Sequence, residues 1–357
     1  MIRSGVTTLA GGTQGYLNGI GTTAKFNEPW GIVTDTIGNV YIADNGNHCI
    51  RKIDLYGNVT IFAGTAGSSG LVDGVGASAK FWNPRSLAID SNNNLYVADA
   101  ANQAIRKITP SGDVTRIAGG NGMGYADGNG LAAKFSWPYG IFIDKSNIIY
   151  VADTGNHRIR KIDPSANVTT FAGSSARGST DGPGGSASFN SPYGLTIDTT
   201  NNIMYVADWD SAKIRKITML PTPIVTTLAG NGNKAYQDGI GAAASLQPAN
   251  LAIGPNNQLY VADANNNRIR AINTTTGKVI TIGGNGTAGN VDNINPLNAT
   301  FNNPRGIWVN QNNIIYVTHN SPPDCSIRMI NISSMPLAGG GRRRRRSMRK
   351  TRGRRRR

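Results

Sequence analysis

The sequence from Tyr150 to Ile162 reads Tyr-Val-Ala-Asp-Thr-Gly-Asn-His-Arg-Ile-Arg-Lys-Ile. Its first four residues, or a near copy of them, recur every 54 to 56 residues along a chain of 357 residues. The six copies begin at Tyr41, Tyr96, Tyr150, Tyr205, Tyr260 and Tyr316. A fixed period of this length indicates a protein built from tandem structural repeats.

Each repeat contains four short runs with the composition of β-strands. A Pro-x-Gly-Ile-like run comes first, as at 29–35, and the Tyr-Val-Ala-Asp run, an Ile-Arg-Lys-Ile run and a run such as 59–64 follow it. All four are rich in Val, Ile, Thr and Tyr and are bounded by Gly, Asn, Asp or Pro. Four strands in each of six repeats predict an all-β protein, a six-bladed β-propeller of four-stranded antiparallel blades.

The sixth repeat has a poor fourth strand at its C-terminal end. The run at 335–338 comes two residues early, and its proline removes a donor from the strand ladder. At the other end of the chain, residues 6–11 match the fourth strand at 225–230. We therefore expect the N-terminal strand to complete the last blade and close the ring. The predicted propeller occupies residues 1–333, and a glycine hinge with a disordered Arg-rich tail occupies 334–357.

The repeat resembles that of the NHL family, with close copies at 41–53, 150–162 and 260–272. The resemblance extends from residue 5 to about residue 333. NHL propellers similar to this one include RNA-binding regulators, protein-interaction modules, sensor domains and a lyase, so the resemblance implies a fold and leaves the function open. The sequence contains neither the Cys/His cross-brace of ubiquitin-ligase members nor a kinase segment.

Charged residues recur through the repeats, and repetition favours a structural role for them. The Tyr-Val-Ala-Asp run supplies an Asp in five copies, and the Ile-Arg pair supplies an Arg in all six. A tight hairpin between these runs would make Asp and Arg diagonal neighbours, so we expect them to pair. A second set lies in Asp-Gly steps between blades, where we expect turn residues, with a channel ion as the alternative. This set is Asp73, Asp127, Asp181 and Asp238.

Histidine and cysteine are too few for a zinc enzyme or a disulfide scaffold. His48 and His157 share one slot of the repeat, which leaves His319 as a single spare imidazole, too few for a propeller lyase's zinc site. His319 and Cys325 share a loop, which suggests a nucleophile and base, but terminal repeats are often atypical and no third group is evident. Cys325 and Cys49 should lie on the order of 15 Å apart, too far for a disulfide.

The residue after the proline that opens each first strand is aromatic or Arg in five of the six blades. These residues are Trp30, Arg85, Tyr139, Tyr193 and Arg305, and Ala249 takes the position in the fifth blade. Since first strands line the channel of a propeller, the set should lie at the channel mouth, on the face with the long loops between blades. It could stack on bases or sugars and add positive charge. The alternative is a plug that packs under the loops.

The net charge of +16 is concentrated at the C-terminal end. The last sixteen residues hold eleven arginines, one lysine and no acid, so the preceding 341 residues have 24 basic and 20 acidic side chains, a net charge of +4. The twelve basic residues are Arg342, Arg343, Arg344, Arg345, Arg346, Arg349, Lys350, Arg352, Arg354, Arg355, Arg356 and Arg357. Such a segment binds polyanions through counterion release. It is also typical of nuclear localisation signals, and it is similar to Arg-rich extensions on virion proteins of large DNA viruses.

The sequence therefore predicts a non-enzymatic binding module, a monomer without a cofactor. Its loop face would bind a protein partner or RNA, and its tail would hold nucleic acid or another polyanion. One alternative is that the propeller face itself reads RNA, and another is a hydrolase, lactonase or lyase that uses a metal ion at the channel mouth. The sequence has no run of 18 apolar residues and no signal-peptide core, which predicts an intracellular protein. If the Arg-rich tail determines its localisation, the protein would be nuclear or virion-associated.

Overall fold

The computed structural model describes residues 5–254 and 258–331. Within this part of the chain, 29 strands form six antiparallel sheets that follow one another around a ring. The helices described here are 3-10 turns of three residues each. The prediction of an all-β, six-bladed propeller is confirmed.

The strands are numbered along the chain, and β1 (Gly5–Gly11) comes first. Blade 1 contains β2 (Gly19–Ile20), β3 (Pro29–Thr34), β4 (Val40–Asp44), β5 (Cys49–Ile53) and β6 (Asn58–Ala63). Blade 2 contains β7 (Gly74–Val75), β8 (Pro84–Ile89), β9 (Leu95–Asp99), β10 (Ala104–Ile108) and β11 (Asp113–Gly119). Blade 3 contains β12 (Gly128–Asn129), β13 (Pro138–Ile143), β14 (Ile149–Asp153), β15 (Arg158–Ile162) and β16 (Asn167–Ala172).

Blade 4 contains β17 (Gly182–Pro183), β18 (Pro192–Asp198), β19 (Ile203–Asp208), β20 (Lys213–Thr218) and β21 (Ile224–Ala229). Blade 5 contains β22 (Gly239–Ile240), β23 (Pro248–Gly254), β24 (Gln258–Asp263), β25 (Arg268–Asn273) and β26 (Lys278–Gly283). Blade 6 contains β27 (Pro304–Val309), β28 (Ile314–His319) and β29 (Ser326–Asn331). The 3-10 turns are Gly21–Thr23, Asn45–Asn47, Gly76–Ser78, Ala100–Asn102, Gly130–Ala132, Thr154–Asn156, Gly241–Ala243, Ala264–Asn266 and Pro296–Asn298.

The first five blades have a fifth strand that the sequence did not reveal. In blade 1 the order is β2-β6-β5-β4-β3, with β3 innermost, and β2 pairs with the outer strand β6 through Gly19 and Ile20. A two-residue strand has no periodicity to detect, which explains why sequence analysis counted four. These short strands cover the outer edge of each blade and so reduce its exposed hydrogen-bonding groups.

The N-terminal strand closes the ring, as predicted. β1 pairs antiparallel with β29 in the order β1-β29-β28-β27, from Gly5 opposite Asn331 to Gly11 opposite Ser326. The register shifts between Thr8 and Ala10, which marks a bulge in β1. Residues 332–357, including the weak fourth strand at 335–338 and the tail, lie outside the described residues.

Apolar side chains fill the spaces between neighbouring blades. A fully buried Phe precedes the inner strand in five blades, and the buried Leu246 stands at this place in blade 5. These phenylalanines are Phe26, Phe81, Phe135, Phe189 and Phe301. The core is therefore a ring of similar clusters, each shared by two blades.

The six inner strands surround the axis and nearly touch one another just below the channel mouth. A Cβ added to Gly31 would lie 2.6 Å from the Cα of Ser86 on the next inner strand. A Cβ on Gly306 would overlap the carbonyl oxygen of Trp30. Glycine is required here because the backbones approach too closely for a side chain. Inside this ring of strands, the axis holds a cavity of about 70 Å³ lined by the inner strands of all six blades.

Candidate functional site

The five aromatic and Arg residues predicted at the channel mouth come together on the propeller axis. We call Trp30, Arg85, Tyr139, Tyr193 and Arg305 the mouth cluster. The Trp30 ring centroid lies 5.9 Å from that of Tyr139 and 6.2 Å from that of Tyr193, and the two tyrosine rings lie 5.0 Å apart. These rings belong to blades 1, 3 and 4, so their contacts cross the axis. Ala249 is buried.

Two further tryptophans extend the cluster, and sequence analysis missed both. Trp209 stacks on Tyr193 with a centroid distance of 4.8 Å and an interplanar angle of 3°. Trp137 meets Tyr139 edge-on at 6.5 Å and is 39% exposed. One signal was available for Trp209: it follows the Asp of its repeat, where the other blades have small residues such as Ala100.

The two guanidinium groups of the mouth cluster lie over aromatic rings. The Arg85 Cζ is 3.9 Å from the centroid of Trp30 and 4.6 Å from that of Tyr139. The Arg305 Cζ is 5.0 Å from the centroid of Trp30 and 4.6 Å from that of Trp209. Cation–π contacts of this kind stabilise a charge that is partly removed from water.

Neither guanidinium of the mouth cluster has an ion-pair or hydrogen-bond partner among the residues that the structure describes. The Nε atoms of Arg85 and Arg305 are buried and unpaired. Burial lowers the pKa of Arg85, and it lowers that of Arg305 to about 10, with a contribution from the Arg85 charge. Both side chains therefore remain cationic at neutral pH.

The arginines of the third strands differ in their terminal nitrogens. Each of these side chains is fully buried and donates through both Nη atoms, although its Nε, like those of Arg85 and Arg305, has no described partner. In blade 2, Arg106 donates to Asp99 at 3.0 Å, as the hairpin predicted. Burial raises the pKa of Asp99 to about 6, while the Arg106 charge and the Asn102 amide act against this rise. The same pair occurs in blades 1, 3, 4 and 5.

The aspartates of the Asp-Gly steps also accept hydrogen bonds from residues distant in sequence, a role that the turn prediction did not include. Asp73 accepts from the Nη2 of Arg106 at 2.6 Å and from the backbone N–H of Arg116 at 3.1 Å. Each thereby connects an interblade loop to strands three and four of its blade, and Asp127, Asp181 and Asp238 do the same. Their partners lie 32 to 46 residues away in sequence. A prediction based on local turn residues could not include these contacts.

The sixth blade breaks this pattern. His319 replaces the strand aspartate and is fully buried against Phe301, with neither ring nitrogen hydrogen-bonded to a described residue. Arg328 instead donates to Asn290 at 2.8 Å and to Asp292 at 2.6 Å. Burial lowers the pKa of His319 well below its usual value. A neutral imidazole is therefore buried here.

Cys325, the residue that shares a loop with His319, is also buried. Its Sγ accepts a hydrogen bond from the backbone N–H of Glu28 at 3.4 Å. Burial raises its pKa to about 11, so the thiolate form needed for nucleophilic attack is scarce at neutral pH. Cys49 is buried as well, and both cysteines are free. The nucleophile–base hypothesis gains no support from these surroundings.

Metal-ligating side chains are dispersed in the described part of the molecule. Within residues 5–254 and 258–331, no three His, Cys, Asp or Glu side chains lie together as a metal site requires. The same ranges contain no helix with the length and apolar character that crossing a membrane requires. The basic residues from Arg342 to Arg357, predicted to bind polyanions, fall outside the described ranges.

The repeat units match a known family model. The model described as "NHL repeat" matches residues 26–53, 81–108, 135–162 and 246–272, which are the inner three strands of blades 1, 2, 3 and 5. The chain therefore contains NHL repeats. The unmatched blades of this NHL-repeat propeller are blade 4, which contains Trp209, and blade 6, which contains His319.

Curated relatives of the NHL-repeat propeller are longer proteins. It is 29% identical to Protein SUPPRESSOR OF QUENCHING 1, chloroplastic, of Arabidopsis thaliana over 84% of this chain and 30% of that protein. It is 28% identical to the NHL repeat-containing protein 2 of Bos taurus over 81% of this chain and 44% of that one. The chain thus spans less than half of either relative.

Solved structures show the same fold at low sequence identity. A protein of unknown function from Bacteroides thetaiotaomicron superimposes with a TM-score of 0.70 at 19% identity, covering 91% of this chain and 75% of that one. A gluconolactonase from Xanthomonas campestris gives 0.61 at 12%, covering 91% and 88%. Virginiamycin B lyase from Staphylococcus aureus gives 0.53 at 17%, covering 82% and 78%. At such identities the likeness concerns architecture alone.

Proposed function

We propose that this NHL-repeat propeller is a binding module whose mouth cluster receives the ligand and whose Arg-rich tail holds nucleic acid or another polyanion. The observation that carries the proposal is the convergence of five large side chains from five blades on one axial point. Aromatic rings and arginines dominate the energetically important positions of binding interfaces. Apolar side chains would fill a structural plug at a lower desolvation cost than two cations without counter-charges.

The contacts of the mouth cluster are those of recognition rather than proton transfer. A general base must lie within hydrogen-bond reach of the proton that it removes. In the described ranges, no carboxylate or imidazole forms an ion pair with Arg85 or Arg305. The charge of Glu28 acts on both guanidiniums from a greater distance. The cluster therefore offers cationic and aromatic surface to a ligand.

The tail would add affinity without selectivity. Twelve basic residues in sixteen can release many counterions from a nucleic acid, and affinity should then fall steeply with salt. The propeller body, with a net charge of +4, would contribute a much smaller salt dependence. Selectivity for one partner would come from the mouth cluster, because flat aromatic side chains and guanidiniums recognise shape as well as charge.

The test compares the full chain with residues 1–341 in binding single-stranded RNA and DNA at 50 and 200 mM salt. We expect the full chain to lose about a thousandfold or more in affinity across this range, and the truncated chain to bind more weakly with a shallower slope. An equal salt slope for both chains would refute the tether.

A second candidate function is RNA binding by the propeller face itself, which the stacked Tyr193 and Trp209 favour. Base–aromatic stacking contributes about 1–3 kcal/mol per base. In the truncated chain, Tyr139→Ala and Tyr193→Ala should each weaken RNA binding by about tenfold. Lys145→Ala, on the opposite face, is the matched control. Unchanged RNA affinity in both tyrosine variants would assign strand binding to the tail alone.

A further inference from the structure

The mouth cluster is rich in hydrogen-bond donors and poor in acceptors. Arg85 and Arg305 each bring five N–H donors, and none of them reaches an acceptor on a described residue. The hydroxyl groups of Tyr139 and Tyr193 and the indole N–H of Trp30 also have no hydrogen-bond partner among the described residues. A site with so many free hydrogen-bond donors is complementary to a ligand that offers only hydrogen-bond acceptors.

Oxyanions offer only hydrogen-bond acceptors. A site with two guanidiniums selects among oxyanions by their charge and number of oxygens. A carboxylate carries one charge and is satisfied by one bidentate arginine. A terminal phosphate carries nearly two charges at neutral pH and three acceptor oxygens. Both guanidiniums contact the indole of Trp30, and the charge of Arg85 acts on Arg305, so a single anion nearby is attracted by both cations. The charge and donor count of the site therefore favour phosphate over carboxylate.

The shape of the site favours a phosphate at the end of a molecule. Beneath the cluster, the axis narrows to a cavity of about 70 Å³ lined by all six inner strands, which is too small for a nucleotide. A ligand that enters from the loop face must therefore stop at the mouth cluster. A phosphate within a continuous strand has chain on both sides and fits this dead end poorly.

An exposed ring stands at the rim for the rest of the ligand. Trp137 contacts Tyr139 edge-on and leaves 39% of its surface exposed. Its backbone is fixed, because its N–H donates to the Gln103 Oε1 at 2.6 Å. An anchored indole with an exposed face is a stacking platform for a flat ring. The path from Arg85 through Tyr139 to Trp137 is continuous.

We propose that the mouth cluster binds a sugar phosphate monoester that also carries a flat base, as in a nucleoside monophosphate or the 5′-phosphorylated end of a nucleic-acid strand. Arg85 and Arg305 hold the phosphate, and Trp137 stacks on the ring. This inference rests on the proposed function, since it names the ligand of the same site. It adds a requirement for a terminal phosphate that general strand binding does not have.

Tryptophan fluorescence of the full chain provides a direct measurement. Three of the five tryptophans, Trp30, Trp137 and Trp209, belong to the site, and the tail contains none, so anions on the tail do not contribute to the signal. The probes are adenosine monophosphate, adenosine, inorganic phosphate and acetate. We expect the monophosphate to change the fluorescence with saturation, inorganic phosphate to do so more weakly, and adenosine and acetate not to do so.

Variants assign the signal to the arginines. Arg85→Met and Arg305→Met should each weaken monophosphate binding by about ten- to a hundredfold, the range expected for charge-assisted hydrogen bonds. Arg177→Met is the control, because it removes one cation from an exposed interblade loop while its ion pair with Asp210 is long, at 3.9 Å. Circular dichroism of each variant verifies the fold.

Each outcome supports or overturns the proposal. Equal binding of adenosine and its monophosphate, or wild-type affinity in Arg305→Met, would overturn it. Binding of a phosphotyrosine peptide but not of the monophosphate would overturn the assignment of a nucleotide as the ligand and would indicate a phosphoprotein. Oligonucleotides with a 5′-phosphate or a 5′-hydroxyl separate strand ends from free nucleotides. If adenosine monophosphate does not bind while Tyr139→Ala still weakens RNA binding, the proposed binding function is supported and the phosphate inference is wrong.

Discussion

The molecule contains two groups of buried arginines that differ in their partners. On the third strands, residues such as Arg106 donate to a buried aspartate, an interblade aspartate and backbone carbonyls. At the channel mouth, Arg85 and Arg305 contact aromatic faces and no carboxylate of the described chain. Burying a charge without a partner is costly, so a fold retains it where another interaction compensates. The difference indicates which arginines serve the fold and which are available to a ligand.

The largest effect should follow from removing a paired arginine. Arg106→Met leaves Asp99 fully buried without its counter-charge, which we expect to cost about 3–5 kcal/mol in the free energy of unfolding. Arg328→Met is the matched variant, since in blade 6 the remaining carboxylate, Asp292, is 46% exposed and can be hydrated. We expect it to cost about 1–3 kcal/mol. Urea unfolding measures both, and equal losses would contradict the role given to the strand aspartate.

A smaller, pH-dependent effect should come from the irregular blade. His319 is buried in the neutral form, and its folded-state pKa is lowered below that of the unfolded chain. The unfolded state therefore binds the extra proton first, and stability falls as pH drops below about 6.5. Between pH 6.5 and 5.5 we expect the wild type to lose about 1 kcal/mol more than His319→Asn. Parallel stability curves for the two proteins would show that His319 does not titrate on unfolding.

The smallest stability effect should come from the mouth. Arg305→Met removes an unpaired cation and keeps much of its apolar contact with Trp30 and Trp209, so its unfolding free energy should lie within about 1 kcal/mol of the wild type. The same urea titrations measure it. A loss as large as that of Arg106→Met would mean that the mouth arginines support the fold, and the contrast between the two groups would disappear.

The sequence was most informative about features that repeat. The Tyr-Val-Ala-Asp period, its bounding turn residues and the match of residues 6–11 to a fourth strand were sufficient for six blades and for the closure by β1. The mouth position was also predictable, because the proline that opens each inner strand fixes where the next side chain lies. These inferences depend on local patterns repeated six times, so errors in one copy are corrected by the others.

Contacts between distant residues were less predictable. Arg106 meets Asp73 across 33 positions, and Trp209 reaches Tyr193 because β18 and β19 bring both to the axis. Neither contact has a period or a motif in the sequence. Among the described residues, no carboxylate forms an ion pair with Arg85, and this too is a property of three-dimensional neighbours, which a list of residue types does not contain.

The pairing of Gly5 with Asn331 has a consequence for synthesis. A nascent chain can assemble blades 1 to 5 in order as they leave the ribosome, but blade 6 needs strands from both ends of the propeller. Until blade 6 has emerged, β1 lacks its partner β29 and the inner strands of blades 1 and 5 lack their neighbour β27. Closure is thus the last step and the one with the longest sequence separation, which makes it slow relative to blade formation. The two arginines of the mouth, in blades 2 and 6, meet around Trp30 only when that step is complete.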